Sequence, residues 1–505
     1  MTTVAAKGDF AADVLNATYG ATGEFFLNRE NEAGFLSRLA GPGSNGGKDS
    51  AVFTQMVGGY NKRVLKTRTQ DGIAPNPVIA TLFNPLPNQD DYMLFRATYS
   101  GAGVTSYDNQ AVYLQKDGVL TRVFRTGGAA SAIFAGGVPL KFNELRLGRA
   151  AATAPLALTF ALRTGVAGIT ADKDTGLALY NLNGSLPDTS VPREGLAAGA
   201  TGVTYGQFTG RVSLFSTLAS YTTAAAGVPA FNQALFTKAR GGNETLFARK
   251  GDVPTTPGGM PFTAFLGENT DSVSYTAFRA TLGAPATAAT NEGIWFGNGV
   301  FKLLFRKGVD LAPVLPGLKI AKFINFRSMF GNTMAQVQLS GPGVTAANDQ
   351  ALLIYQTEGA VVDTIQVLLR EGEPAPGCNG ARIGVISRVE TEGYWGQYIV
   401  LATLTGAPAG TELALFQGTG RITSPTIGDQ VRRRPVLALR KGALYDNQPS
   451  KLKSISFSSG QTPSGAANVG LGRVIQEGGG TAIFPNVVLT LDFANGVRQV
   501  MKGRL

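Results

Sequence analysis

Tyr99-Ser100-Gly101-Ala102-Gly103-Val104-Thr105 is the stretch that decides the fold, because the chain repeats it 240 residues later as Leu339-Ser340-Gly341-Pro342-Gly343-Val344-Thr345. Both copies continue without a gap to Asp108-Asn109-Gln110-Ala111 and Asn348-Asp349-Gln350-Ala351. A shorter match, Leu39-Ala40-Gly41-Pro42-Gly43, lies 60 residues before the first copy. The spacing indicates a degenerate repeat of about 60 residues that runs through the chain.

Each repeat predicts four short strands. An alternating strand, such as Phe95, Ala97 and Tyr99, comes first. A hairpin follows, with turn dipeptides such as Asp117-Gly118 that supply positive φ. The last apolar segment of a repeat, such as Leu318 to Phe326, is the predicted fourth strand. Four short strands in each repeat are typical of a propeller blade.

The sequence therefore predicts an all-β fold, a closed β-propeller of about eight four-stranded blades, in which the N-terminal segment, through Val14 to Tyr19, completes the last blade. Joining the two ends would leave no open strand edge. An open solenoid with polar caps is the alternative. The predicted blades are approximately 29–90, 91–150, 151–206, 207–268, 269–330, 331–392, 393–466, and 467–505 together with 1–28.

Composition indicates one domain, residues 1–505, with many turns. The chain has 66 Gly and 25 Pro, 44 % hydrophobic and 16 % charged residues, and no Pro/Ser-rich linker. Its net charge of +11 is scattered, which does not favour a nucleic-acid partner. No segment reaches 18 apolar residues, so no membrane span is predicted.

Several motifs resemble the bacterial tandem-repeat family that is named for its NxxGxxAF motif. They are Asn31-Glu32-Ala33-Gly34-Phe35, Asn291-Glu292-Gly293-Ile294-Trp295, and the run from Arg370 to Gly377. The resemblance implies repeats that form propellers and an extracellular or cell-surface location. The opening residues, MTTVAAKGDF, lack the apolar stretch of a signal peptide, so no leader is expected within this chain.

The absence of histidine is the strongest functional constraint. It excludes Ser-His-Asp and Cys-His nucleophile systems and imidazole-ligated metals. The single cysteine, Cys378, cannot form an intrachain disulfide. We expect no cofactor and no metal. The Asp108-Asn109 and Asn348-Asp349 pairs lack the dense acidic spacing of a calcium loop, and turn capping explains them better.

Recurrent arginines, each followed closely by glycine, end the predicted hairpins. They could form a ring of cations around the central channel, but a structural role, pairing with a carboxylate or carbonyls of the neighbouring blade, is the favoured interpretation. Asp252 and Glu373 are candidate partners. These structural arginines are Arg68, Arg125, Arg193, Arg249, Arg306, Arg370 and Arg440.

The one dense cationic cluster is Arg432, Arg433 and Arg434. A solvated hairpin loop is the simpler interpretation, and an anion-binding site is the alternative.

Two functions remain open. The first is a non-enzymatic binding or structural module that contacts a protein, a surface polymer or copies of itself. The second is a carbohydrate-active enzyme, a glycosidase or lyase that uses carboxylates in the central funnel. A carboxylate pair that faces an open cleft would favour the enzyme.

Overall fold

The structure, a computed structural model, describes most of the chain. The described residues are 2–27, 32–56, 59–73, 76–83, 85–87, 92–129, 132–134, 136–147, 155–181, 191–198, 203–208, 212–215, 218–226, 232–239, 244–270, 275–297, 300–312, 314–329, 331–356, 364–391, 396–420, 434–445, 449–457, 475–476 and 486–505. Nearly all of their regular structure is β-strand, and two 3-10 turns, Pro42–Ser44 and Ala132–Phe134, lie in connections.

The strands are numbered in chain order. Those of the first half are β1 (Thr2–Ala6), β2 (Thr18–Leu27), β3 (Ala33–Ala40), β4 (Ser50–Gln55), β5 (Asn61–Lys66), β6 (Val78–Leu82), β7 (Leu86–Pro87), β8 (Met93–Ser100), β9 (Gln110–Lys116), β10 (Val119–Arg125), β11 (Pro139–Leu147), β12 (Pro155–Leu162), β13 (Thr175–Asn181), β14 (Thr204–Tyr205), β15 (Val212–Phe215), β16 (Leu218–Ala226), β17 (Gln233–Ala239) and β18 (Glu244–Arg249).

Those of the second half are β19 (Phe262–Thr270), β20 (Thr276–Leu282), β21 (Glu292–Gly297), β22 (Phe301–Arg306), β23 (Asp310–Leu311), β24 (Leu315–Met329), β25 (Asn332–Ser340), β26 (Gln350–Gln356), β27 (Thr364–Arg370), β28 (Arg382–Thr391), β29 (Gln397–Thr405), β30 (Leu413–Thr419), β31 (Val436–Arg440), β32 (Leu452–Ser456), β33 (Ile475–Gln476), β34 (Asn486–Phe493) and β35 (Arg498–Arg504).

These strands form eight antiparallel sheets, which are the blades of a β-propeller. Blade 1 is β2-β3-β4-β5, blade 2 is β6/β7-β8-β9-β10, blade 3 is β11-β12-β13, blade 4 is β14/β15-β16-β17-β18, blade 5 is β19-β20-β21-β22, blade 6 is β23/β24-β25-β26-β27, blade 7 is β28-β29-β30-β31 and blade 8 is β32/β33-β34-β35-β1. In blade 3, residues 182–190, which follow β13, lie outside the described residues. The predicted all-β propeller of eight blades is confirmed.

The first strand of each blade lies nearest the propeller axis. Contacts between first strands pass from blade to blade, joining β33 to β2, β2 to β7, β7 to β11, β11 to β15, β15 to β19 and β19 to β24. The fourth strands, such as β5 and β10, are the more exposed ones and lie at the rim.

The N-terminus closes the ring, as predicted, but through a different segment. β1 pairs antiparallel with β35, with Thr2 opposite Lys502 and Ala6 opposite Gln499. The expectation that Val14 to Tyr19 would form this strand is wrong, because Tyr19 lies in β2 and pairs with Leu39 of blade 1. Gly8, at φ +96°, lies in the connection between β1 and β2.

The predicted blade boundaries are displaced by one strand. Residues 318–326, expected to end a blade, lie in β24, and their partners are in β25, with Phe326 opposite Ala335. β24 therefore opens blade 6, and the predicted boundary at 330/331 cuts the hairpin between these strands. A repeating pattern has a period but no intrinsic origin, so strand pairing alone decides where a blade begins.

The hydrophobic core lies between neighbouring blades. Trp295 of blade 5 is fully buried and stacks on Phe278 at 5.7 Å between ring centroids. Its indole Nε1 donates a hydrogen bond to the Thr256 carbonyl at 2.9 Å, which satisfies its one polar atom. The described residues include no helix long and apolar enough to cross a membrane.

Candidate functional site

The recurrent arginines lie at the ends of the rim strands, and their contacts are mostly within their own blade. Arg125 Nη2 lies 3.0 Å from Asp108 Oδ2, in the loop between the second and third strands of blade 2. Arg306 Nε donates to the Thr290 carbonyl at 3.1 Å, and Arg440 Nε to the Thr411 carbonyl at 3.2 Å, in the corresponding loops of blades 5 and 7.

The remaining arginines have local partners as well. Arg68 Nε lies 3.1 Å from Asp49 Oδ1. Arg249 and Arg370 lie beside Asp252 and Glu373, at 3.6 and 3.9 Å. Arg193 forms a backbone bridge with Gly176. Asp252 and Glu373 lie in the connections to the following blade. Because fourth strands lie far from the axis, the described contacts of these arginines lie at the rim and do not form a ring around the channel.

Of the arginine cluster, Arg432 and Arg433 lie outside the described residues, and Arg434 is exposed. The two Asp/Asn pairs cap turns. Asp108 Oδ1 accepts the Thr105 N–H at 2.6 Å, and Asn348 Oδ1 accepts the Thr345 N–H at 2.7 Å. In the part of the chain that the structure describes, no three Cys, Asp or Glu side chains gather around a common point that could hold a metal ion.

Asp71 is a buried carboxylate that is enclosed by donors. Its Oδ2 accepts hydrogen bonds from Arg122 Nη1 at 2.9 Å and from the Tyr113 hydroxyl at 2.5 Å. The Tyr99 hydroxyl lies 2.6 Å from the Tyr113 hydroxyl and extends the network. Burial, with the Asp71 carboxylate beside it, raises the pKa of Tyr113 far above its ordinary value. This network is shielded from solvent, and its hydrogen bonds connect the loop before β6 to β8, β9 and β10.

Two further carboxylates lie on first strands and are also covered. Glu268 of β19 accepts the Thr222 hydroxyl of blade 4 at 2.9 Å. Glu390 of β28 accepts two hydrogen bonds from Arg388, at 2.8 and 2.7 Å. Both are at least 97 % buried, so neither carboxyl group is placed to meet a substrate.

A shared backbone hydrogen bond aligns the eight first strands. In each, one residue accepts from an N–H of the preceding connection at 2.8 or 2.9 Å, ten to twelve residues earlier; these residues are Tyr19, Ile79, Pro139, Tyr205, Phe262, Ile320, Ile383 and Leu452. Three residues further on, seven blades carry a large apolar side chain that is at most 5 % exposed, namely Leu82, Phe142, Phe208, Phe265, Phe323, Ile386 and Ile455. We call these the wedge residues.

Each wedge residue packs against the preceding blade. Leu82 belongs to a cluster with Val52 and Leu65 of blade 1, and Phe323 to one with Ile294 and Phe296 of blade 5. Blade 1 has Thr22 at this position, opposite Ser37, within Gly20-Ala21-Thr22-Gly23. Among the first strands as described, blade 1 therefore lacks the wedge between itself and the preceding blade, blade 8.

A cleft of about 250 Å³ occupies the place of the missing wedge. It lies between β2 and all four strand positions of blade 8, at the junction where the ring closes, and we call it the closure cleft. Its described lining residues are Ala5, Lys7, Gly20, Ala21, Thr22, Gly23, Ser456, Phe457, Thr490, Arg498 and Val500. They provide two cations, three hydroxyls and one aromatic ring, and none of them is a carboxylate.

The cations have different surroundings. Lys7 is exposed, in the connection from β1 to β2. Arg498 forms a bidentate ion pair with Asp492, with Nε 2.5 Å from Oδ1 and Nη2 3.0 Å from Oδ2. The Arg498 hydrogen bonds hold the pKa of Asp492 below its usual value. This ion pair holds the guanidinium at the cleft through Nε and Nη2, and Nη1 takes no part in it.

Sequence reasoning did not identify this cleft. The signal in the sequence was the run of small residues Gly20-Ala21-Thr22-Gly23, in which Thr22 stands where the other blades have a large apolar wedge residue. The connections before the first strands differ in length, which blurs the register in the sequence, and only the backbone hydrogen bonds restore it.

Solved propeller structures resemble this chain at low identity. They include an acylaminoacyl peptidase of Pyrococcus horikoshii (10 % identity, TM-score 0.38, 81 % of this chain and 54 % of that one). The β-propeller domain of the Trilobed protease from Pyrococcus furiosus (7 %, 0.38, 80 % and 95 %) and a Trypanosoma rangeli sialidase (10 %, 0.27, 89 % and 57 %) are others. The chain spans about half the length of the acylaminoacyl peptidases it matches. Likenesses of this degree concern the fold and not the activity.

No curated protein matches the sequence. A family model does, in two successive stretches, residues 1–195 and 190–414, which together cover most of the chain. The chain therefore belongs to the family described as a family of unknown function (DUF7453).

Proposed function

We propose that this chain is a non-enzymatic binding or assembly module of a secreted or cell-surface protein. The observation that carries the proposal is the lining of the closure cleft, which offers cations, hydroxyls and an aromatic ring but, among its described residues, no carboxylate. Such a lining can hold a ligand through charge and hydrogen bonds. It lacks the paired carboxyl groups that glycoside cleavage requires.

The residue types that the chain has for catalysis support the same function. Without histidine, acid-base catalysis would depend on Asp, Glu, Tyr or Lys. Among the buried carboxylates that the structure describes, Asp71, Glu268 and Glu390 accept hydrogen bonds from side chains of the propeller. The Asp71 and Glu390 contacts lie within one blade and the Glu268 contact joins blade 5 to blade 4, which fits structural roles.

The location outside the cell, and kinship with the NxxGxxAF repeat family, are part of the proposal. They are supported by motifs such as Asn31-Glu32-Ala33-Gly34-Phe35. The partner is a protein, a surface polymer or a second copy of the chain, and the proposal needs no cofactor.

The test incubates the full chain with a panel of polysaccharides and unfolded proteins and follows both binding and turnover. We expect retention of at least one polymer in affinity electrophoresis, with no new reducing ends and no new amino termini. Release of reducing ends that disappears in Glu268→Gln or Glu390→Gln would establish the carboxylate-dependent enzyme instead and overturn the proposal.

A further inference from the structure

We propose that the closure cleft binds one carboxylated sugar residue, a uronate, of an acidic polysaccharide. This inference rests on the proposed function and names the ligand class of the site described above. The cleft lies where the first and last blades meet, between β2 and blade 8.

Charge is the first argument. Lys7 and Arg498 both line the cleft, and no described lining residue carries a negative charge. Asp492 takes Nε and Nη2 of Arg498, which leaves the Nη1 edge as a donor for a ligand carboxylate. The net charge of +11 adds a long-range attraction for an acidic polymer.

The remaining lining distinguishes a sugar from an acidic peptide. Thr22, Ser456 and Thr490 line the cleft and carry hydroxyl groups, of which that of Ser456 donates to the Thr490 carbonyl at 3.4 Å. A hydroxyl both donates and accepts, so these residues suit a ligand that carries several hydroxyls of its own. Phe457 adds an aromatic surface, with the Arg388 guanidinium 4.6 Å from its ring centroid. An aromatic ring packs well against the C–H face of a sugar ring, whereas an Asp or Glu side chain has no such face.

Size and position limit the ligand to one residue per chain. A cleft of about 250 Å³ lies just below the size range of about 300–1,000 Å³ for drug-sized ligands. It therefore takes a single ring, while the exposed Lys7 and Arg498 leave the rim open to the rest of a polymer. Wedge residues close the equivalent position in the other described first strands, so we infer one site in each propeller.

The test is calorimetric titration of the full chain with an oligogalacturonate. A neutral glucan oligomer of the same length and poly-glutamate are the comparison ligands. We expect one site per chain for the oligogalacturonate and much weaker binding of both comparison ligands. Thr22→Leu, which supplies the missing wedge, should weaken binding roughly tenfold or more because it fills the cleft.

A pair of charge variants provides a matched control. Lys7→Ala should weaken binding about two- to fivefold, as expected for an exposed ion pair, and the change should shrink as salt is added. Lys62→Ala removes the same charge from an exposed position in β5 and should leave the affinity unchanged. Thermal melting checks that each variant folds; if Thr22→Leu did not, the Lys7 and Lys62 pair would decide.

Four results would overturn the inference. They are no oligogalacturonate binding by the unaltered chain, unchanged affinity in Thr22→Leu, equal effects of Lys7→Ala and Lys62→Ala, and equal binding of poly-glutamate. None of these contradicts the proposed function, which is overturned by carboxylate-dependent cleavage of a polymer. The two ideas can therefore fail separately.

Discussion

Filling the closure cleft should stabilise the propeller, whereas the reverse change in another blade should destabilise it. Thr22→Leu places two additional carbon atoms where the other blades bury a wedge residue. At about 0.8 kcal/mol for each buried CH₂ group this contributes about 1.6 kcal/mol. Ordering the leucine side chain costs roughly 0.5–1 kcal/mol, so we expect a net gain of about 1 kcal/mol.

Leu82→Thr makes the opposite change at the equivalent position of blade 2. It removes apolar contacts with Val52 and Leu65, leaves a cavity and buries a hydroxyl. We expect a loss of about 2–4 kcal/mol. Because both variants exchange the same two residue types, the opposite signs depend only on the surroundings of the site.

Denaturant titration, followed by far-UV circular dichroism and tryptophan fluorescence, measures both variants against the unaltered chain. The midpoint should rise for Thr22→Leu and fall for Leu82→Thr, with unchanged slopes. A fall in both midpoints would show that Thr22 already lies in a packed environment, and it would refute the argument that a wedge is missing.

Three further predictions follow from other parts of the molecule. The pKa of Tyr113 is raised in the folded protein, so above about pH 10 the folded protein keeps a proton that the unfolded protein loses, and the free energy of unfolding should fall as the pH rises. The fall should be less steep in Tyr113→Phe, and an equal dependence on pH in both proteins would contradict this. Cys378 is 2 % exposed and burial raises the pKa of its thiol, so iodoacetamide should modify it only after denaturation; rapid labelling of the folded chain would disprove its burial. Removing residues 2–6 takes away β1 and exposes the outer edge of β35, which stays paired with β34 on its other side, so size-exclusion chromatography should show self-association. A stable monomer would argue against closure by β1.

Much of the architecture could be predicted from local pattern. The recurrence of Leu39-Ala40-Gly41-Pro42-Gly43 at about 60-residue spacing indicated the repeat, and Asp117-Gly118 marked a hairpin turn. In the structure Asp117 and Gly118 have φ of +49° and +78°, as the turn between β9 and β10 requires. The turn could be predicted because its residue types favour positive φ, and the repeat because its spacing is visible in the sequence itself.

The placement of strands within blades could not be predicted in the same way. Val14 to Tyr19 and Thr2–Ala6 are both short segments ahead of the first repeat, and only the pairing of Thr2 with Lys502 shows which one closes the ring. Residues distant in sequence compete for the same edge, and the competition is decided by register and by what each strand then buries.

The candidate site belongs to that second class. Nothing in the sequence distinguishes Thr22 from other threonines. Its position becomes notable only by comparison with the seven wedge residues, which the fold places at the equivalent position of the other blades. The sequence by itself determined that the chain is a β-propeller of repeated blades without histidine chemistry, because composition and periodicity are local properties. The tertiary structure alone decided where the ring closes and where its packing leaves space, because burial and cavities arise only when distant strands are brought together.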